Sequence, residues 1–366
     1  MDLLCIYVVV LGYIGLTMYL ANQTDLAKQI KDHHHIEDSV TIYDRDYDKQ
    51  AKAMRGLLYL GVSIIGMLGL FVFLAWLSSG QTLEDGTTTG IEISTLNMIL
   101  GVVMAGAFAF AGYNVTSTYR ARAQLAQWIG NSGRFDPHSH VHTTAVILSL
   151  LLVGSQVAQL IMIGGTEGLA ESIEESGIDA GLVLFQMVIQ VLAAFLGIGW
   201  AIRRDVPQAL ARLGLRVPTN DDLRWGIGGG LMMYGALLAF NVVLTLVMAV
   251  ISPEFLEETN AANANFAAAI DTLALALLVA GAAGIGEEIL FRGALQPVFG
   301  NVLTSIIFAL LHIQVLFSPS ILFLFALSYI LGIIRDRHST TAAILAHFVY
   351  NFVQMFLLIV LSGAAA

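Results

Sequence analysis

Long apolar runs, each close to the length that a bilayer core requires, alternate with short polar segments along the whole chain. They predict an all-α, polytopic membrane bundle of about ten spans, at 1–20, 56–78, 96–119, 143–164, 181–202, 225–251, 272–290, 301–317, 320–334 and 340–362. The first run has no positive leader and is followed by ANQTD, a poor cleavage site, so it reads as a retained helix. The run 320–334 is short and stops at Arg335, which suits a tilted helix or one packed wholly inside protein. The polar stretch 21–55 reads as a small amphipathic helix or a disordered loop. The acidic stretch 165–179 (GTEGLAESIEESGID) reads as a short solvated helix. No internal repeat is visible. The organisation expected is an N-terminal transmembrane region, 1–180, and a C-terminal one, 181–366.

Composition narrows the class. Of 366 residues 57% are hydrophobic and only 12% charged, with a mean hydropathy of +0.77. A water-soluble domain carries about 25% charged residues, so a soluble enzyme and a disordered chain are both excluded. The single cysteine, Cys5, excludes an intrachain disulfide and a Cys-cluster metal site. A net charge of −10 leaves no basic footprint for nucleic acid.

Charge also orients the bundle. All 17 Lys and Arg residues fall in alternate loops: 21–55, 120–142, 203–224, at Arg292, and at Arg335 with Arg337. The intervening loops 79–95, 165–180 and 252–271 have none and are acidic. By the positive-inside rule, both termini lie outside and the basic loops face the cytoplasm of a multi-pass cell-membrane protein.

Ionisable groups in a span cost roughly 2.5–3.5 kcal/mol each and need a reason. The early spans hold mainly neutral amides: Asn97, Asn114, Gln156, Gln159, Gln186, Gln190 and Asn241. These read as interhelical hydrogen-bonding groups. The C-terminal third differs. The stretch from Asp271 reads as one helix to Gln296, stopped by Pro297. Glu288 and Arg292, four apart, share a face and can pair, whereas Glu287 is rotated about 100° away. Two adjacent carboxylates in a low dielectric do not both ionise cheaply. The one beside Arg292 stays charged, and the other suits proton transfer near neutral pH. The small residues Gly281–Gly284 and Gly286 let neighbouring helices approach this turn. His312 follows Phe308 by four residues, and His347 precedes Asn351 by four. A Glu, two His and an Asn from three helices suit water activation by Glu287 with His312, and oxyanion donation by His347 and Asn351. The bland alternative is a structural polar network that pins helix packing.

Counting from Asp271 at the outer face, Glu287 lies about 24 Å along its helix. That places it near the inner side, in a funnel open to the cytoplasm. His33, His34 and His35, and His138, His140 and His142, read either as inner-surface metal ligands or as solvated polar loops.

GEEILFRG (286–293) resembles the EExxxR motif of the CAAX-protease and bacteriocin-processing family, also called CPBP or Abi. FALLH (308–312) resembles its FxxxH motif, and HFVYN (347–351) its HxxxN motif. Each alone is weak, but the three occur in the family's order on consecutive apolar helices. The resemblance covers roughly 225–362, most firmly 271–355, and does not extend into 1–180. It implies an intramembrane endopeptidase acting on membrane-associated proteins or peptides. Eukaryotic members remove the last three residues of prenylated CAAX proteins, and bacterial ones are linked to bacteriocin maturation or self-immunity. It implies Glu287 and His312 as the water-activating pair and His347 with Asn351 as oxyanion stabilisers. Glu288 and Arg292 become a structural or substrate-binding pair. No HExxH is present. A metal-free mechanism and a Zn²⁺ held by Glu287, His312 and His347 both remain open. The rivals are a silent relative acting as a membrane scaffold or regulator, and a transporter that uses the same polar cluster.

Overall fold

The structure, a computed structural model, describes residues 3–34, 42–79, 81–82, 88–89, 93–254, 256, 269–270, 272–316 and 318–362. It is helical almost throughout. Helices α1 (Leu3–His34) and α2 (Ile42–Ser78) are followed by a two-residue ladder, β1 (Gln81–Thr82) with β2 (Thr88–Thr89). Next come α3 (Thr95–Ser117), α4 (Tyr119–Ile129), α5 (His140–Met162), α6 (Gly165–Ser176), α7 (Ala180–Gly197), α8 (Val206–Leu213) and α9 (Asn220–Ile251). The C-terminal part is α10 (Leu273–Glu288), a π-helical segment (Ile289–Leu295), α11 (Gln296–Leu310), α12 (Ser320–Arg337) and α13 (Thr340–Ser362).

Seven described segments are long and apolar enough to cross a bilayer: Tyr47–Ser78, Thr95–Ser117, His140–Met162, Ala180–Gly197, Asn220–Ile251, Leu273–Leu310 and Thr340–Leu361. The ten expected spans are therefore not matched one for one. The runs 272–290 and 301–317 fall largely within the one stretch Leu273–Leu310, which is interrupted at Gly300. Helix α1 continues into a polar half holding Asp25, Lys28 and Lys31, and α12 ends in Arg335, Asp336 and Arg337. Many apolar side chains face outward, as a bilayer requires and water would not tolerate. On α9, Val242 is 60% and Val250 84% exposed.

The polar stretch 21–55 resolves into extensions of α1 and α2 on either side of residues 35–41, which lie outside the described residues. The acidic stretch forms α6, as its pattern predicts. One expected amide contact differs. Asn114 turns back to donate to Phe110 O at 2.8 Å in its own helix, because a backbone carbonyl one turn away is the nearest acceptor.

The chain divides into two compact units. The first comprises 1–162, 193–212 and 297–300, and the second 163–192, 213–296 and 301–366. In the first, α1, α2, α3 and α5 pack against one another around Ala21, Met54, Leu58, Val62 and Ile147. Arg122 donates to Val115 O and Pro137 O, both at 2.8 Å. It thereby satisfies a carbonyl that the end of α3 leaves open. In the second unit α13 is central, touching α9, α10 and α12. Its small residues Ala342, Ala343 and Ala346 are completely buried and pack with Met233, Leu327, Leu331, Ile334 and Tyr350.

Pro297 does not stop the helix. It occupies the first turn of α11, where its missing N–H is no loss. The break comes at Gly300, with φ +75. That left-handed conformation suits glycine, and a Cβ there would sit 2.7 Å from Ser132 O.

Candidate active site

The site is built on α10, the π segment, α11, α12 and α13. Two glycines bring the neighbours close just before the paired carboxylates. A Cβ on Gly284 would lie 3.0 Å from Ile344 O of α13, and one on Gly286 would lie 3.1 Å from Met187 Cα of α7. The backbone then widens into the π segment that carries Arg292. Such segments are rare and recur at functional sites, because the wider turn re-aims the side chains it bears.

Glu288 and Arg292 have fully buried side chains, and Arg292 Nε lies 3.0 Å from Glu288 Oε2. This is the i,i+4 pair the sequence predicts. Glu288 has a second partner that the sequence did not reveal: its Oε1 lies 2.9 Å from Nδ1 of His347, whose side chain is 4% exposed. One carboxylate therefore bridges a guanidinium and an imidazole. With His347 Nδ1–H as the donor to Glu288, Nε2 is the ring's remaining nitrogen. The other end of Arg292 donates from Nη2 to Ser328 Oγ of α12 at 2.9 Å. The Arg292 carbonyl accepts from Arg335 Nε at 3.1 Å, and Gln296 Nε2 donates to Gly332 O at 3.0 Å. Ser328 is the residue the sequence reading missed. A serine in the middle of the apolar run 320–334 was its only signal.

His312 lies just past the end of α11 rather than inside a helix to 317, with φ −89 and ψ 74. Its Nδ1–H donates to Phe308 O at 2.8 Å. It thus caps one of the carbonyls that a helix C-terminus leaves unpaired, and its Nε2 carries the lone pair. The Phe308 ring organises the cluster. Its centroid is 4.4 Å from His312, 6.1 Å from His347 and 5.2 Å from Phe291, and the Arg292 guanidinium stands 5.3 Å above it. That geometry suits a cation–π contact in a dry site.

Glu287 is half-buried, and its Oε2 is buried with no hydrogen-bond partner. It forms no bond to His312, whose Nδ1 is taken by the Phe308 carbonyl. Asn351 is half-buried one turn beyond His347. The structure thus joins Glu288, Arg292, His347, Phe308 and His312, and leaves Glu287 and Asn351 without a direct hydrogen bond to them.

Among the described residues no three His, Cys, Asp or Glu side chains come together as a metal-ligand set. Glu287, His312 and His347, the set the sequence left open for Zn²⁺, are not gathered as such a group. The inner-loop histidines also disperse. His140 Nδ1 lies 3.1 Å from Asp25 Oδ1, His142 Nδ1 accepts from Asp136 N at 2.8 Å, and His138 packs on Tyr119 with centroids 4.8 Å apart. His35 and the side chains of His33 and His34 lie outside the described residues.

Residues 269–353, less than a quarter of the chain, match the family described as type II CAAX prenyl endopeptidase Rce1-like. The molecule is thus an α-helical protein of membrane-spanning character with a protease-family domain in its C-terminal part. The matched segment is similar to the Rce1-like model of the CPBP family. All three sequence motifs lie within the matched segment. No curated protein and no solved structure matches the chain.

Proposed function

We propose that the chain is an intramembrane endopeptidase that hydrolyses a peptide bond in membrane-associated proteins or peptides, CAAX-type substrates among them. The observation that carries this reading is the buried Glu288, shared by Arg292 and His347, with the unpartnered oxygen of Glu287 on the adjacent residue. A packing device alone gives no reason to bury a second carboxylate without a partner.

In the proposed reaction Glu287 takes one proton from an attacking water that His312 Nε2 orients by accepting its other O–H. The resulting hydroxide adds to the scissile carbonyl. His347 acts as the imidazolium: its Nδ1–H is held by Glu288, and its Nε2–H, with the Asn351 amide, donates to the developing oxyanion. Collapse of the tetrahedral intermediate breaks the C–N bond, and the stored proton passes to the leaving amine. Arg292, Ser328 and Phe308 hold the shared carboxylate and the two rings in place.

The site is proposed to open toward the cytoplasm of the cell membrane, on the Lys- and Arg-rich side. In a Cys5→Ser background, an impermeant thiol reagent added outside is expected to label a cysteine at Ser172 and to spare one at Arg337. The reverse pattern inverts the orientation. The catalytic reading is tested by Glu287→Gln, which keeps the shape and removes the base. Loss of cleavage at an unchanged melting temperature supports it. Undiminished turnover removes Glu287 from the mechanism and leaves a scaffold as the reading.

A further inference from the structure

A second polar feature lies in the first unit, among residues to which the family match does not extend. An open cleft of about 310 Å³ is lined by Gln29 of α1, by Arg203 and Arg204 in the segment joining α7 to α8, and by Gln208 of α8. The two arginines are held with part of their donor set already used. Arg203 Nε donates to Asn22 Oδ1 at 2.8 Å, and Arg204 Nη1 donates to the Ile198 carbonyl. Each guanidinium is thereby fixed in orientation while its remaining N–H groups stay available, the pre-organised fork that suits phosphate oxygens.

Two described acidic groups lie by the pair: Asp205, next to Arg204 in sequence, whose Oδ1 accepts from Gln208 N at 2.9 Å, and Asp25. Asp25 Oδ2 stands 4.0 Å from Arg203 Nη1, beyond hydrogen-bond distance. Its oxygens already accept from Ser139 Oγ at 2.6 Å and His140 N at 2.8 Å. It therefore only partly neutralises the arginines. Burial holds Arg203 below its ordinary guanidinium pKa, Asp25 opposes that shift, and the neighbouring Arg204 adds to it. A bound anion would relieve this repulsion between like charges. Gln208 Oε1 accepts from Asp205 N at 3.1 Å, which leaves its NH₂ as a donor.

Position selects the source of the anion. The segment 198–205 directly follows the span Ala180–Gly197, at headgroup depth, and has Trp200, a residue type enriched there. Helix α8 buries Ala209 and Leu213 while Val206 and Leu210 remain exposed, the pattern of a short helix lying in the interface. Basic clefts at this level hold the phosphates of anionic lipids. The geometry points to a phosphate-binding cleft formed by Gln29, Arg203, Arg204 and Gln208 that takes the headgroup of an anionic phospholipid.

The test is native mass spectrometry of the full chain in detergent, titrated with phosphatidylglycerol and phosphatidylcholine. The expected result is at least about ten-fold tighter binding of phosphatidylglycerol. Gln29→Glu with Gln208→Glu should cut that preference to within about two-fold without lowering the lipid-free melting temperature, because the Asp205 amide keeps its acceptor. Gln29→Glu alone, which touches no structural bond, should cut it in part and covers the case in which the double variant misfolds. Equal binding of the two lipids by the wild type, or a preference untouched by either variant, overturns the proposal. Inorganic phosphate that abolishes the preference at millimolar concentration marks a soluble phosphoryl ligand and overturns the lipid assignment.

Discussion

The two units bury polar groups in different ways. In the first, the buried polar side chains include Thr17, Asn22, Thr24, Thr143 and Thr144, with Asp25 as the charged one among the described residues. Most are answered by a nearby carbonyl or hydroxyl: Thr17 Oγ1 donates to Tyr13 O at 2.6 Å, and Asn22 Nδ2 to Leu196 O at 3.0 Å. Asp25 sits in the polar half of α1, near a helix end. In the second unit, Glu288, Arg292 and His347 are buried inside the span-forming helices and answer one another. Neutral pairs fix helix packing at small cost. A charged triad in low dielectric has to overcome several kcal/mol of desolvation per ion, and hydrophobic residues of like volume often pack as stably. The difference marks the second unit as the place where charged groups are buried against one another among span-length helices.

The largest expected effect separates catalysis from packing. Glu287→Gln should reduce cleavage by at least about 100-fold with folding intact, the scale of a lost general base. A melting temperature that falls together with activity would instead make Glu287 a packing group like those of the first unit. Arg292→Ala comes next. It strands Glu288 in the interior and should cost roughly 3–5 kcal/mol as well as activity, readable as a drop in denaturant midpoint. An unchanged midpoint with slower turnover points to substrate contact instead. Ser328→Ala removes a neutral partner of a buried cation and should cost roughly 1.5–3 kcal/mol, with a smaller loss of activity than Arg292→Ala.

The smallest effect belongs to the first unit and to pH. Burial alone would raise the Asp25 carboxyl, but hydrogen bonds from His140 and Ser139 outweigh it and hold the pKa below the ordinary value of 3.8. A carboxylate depressed on folding contributes stability that is complete above its unfolded pKa and is lost as pH falls through the folded one. Acid unfolding of the wild type should therefore gain a component below about pH 4, and Asp25→Asn should remove it while lowering neutral-pH stability by about 1 kcal/mol. Identical acid profiles for the two proteins would show that Asp25 is not held as the structure places it.

Periodicity made the helices legible, and the i,i+4 rule made the Glu288–Arg292 pair legible, because both depend on residues close in sequence. The bond from His347 to Glu288 crosses 59 positions, and no local spacing distinguishes it from a bond to Glu287. The π segment was illegible for a related reason. ILFRGAL has no composition that sets it apart from an α-helix. Pro297 misled because proline ends a helix from its interior yet opens one from its first turn. His312 was placed in mid-helix because Ile313 to Phe317 continue the apolar run. Hydropathy cannot see that the imidazole caps the helix at Phe308.

The most direct test of the catalytic reading reconstitutes the wild type and Glu287→Gln in vesicles with a prenylated CAAX peptide and a membrane-peptide pool, and counts new termini by mass spectrometry. The account predicts products from the wild type and at least about 100-fold fewer from Glu287→Gln at equal melting temperature. Equal product from the two, or none from the wild type, would contradict it.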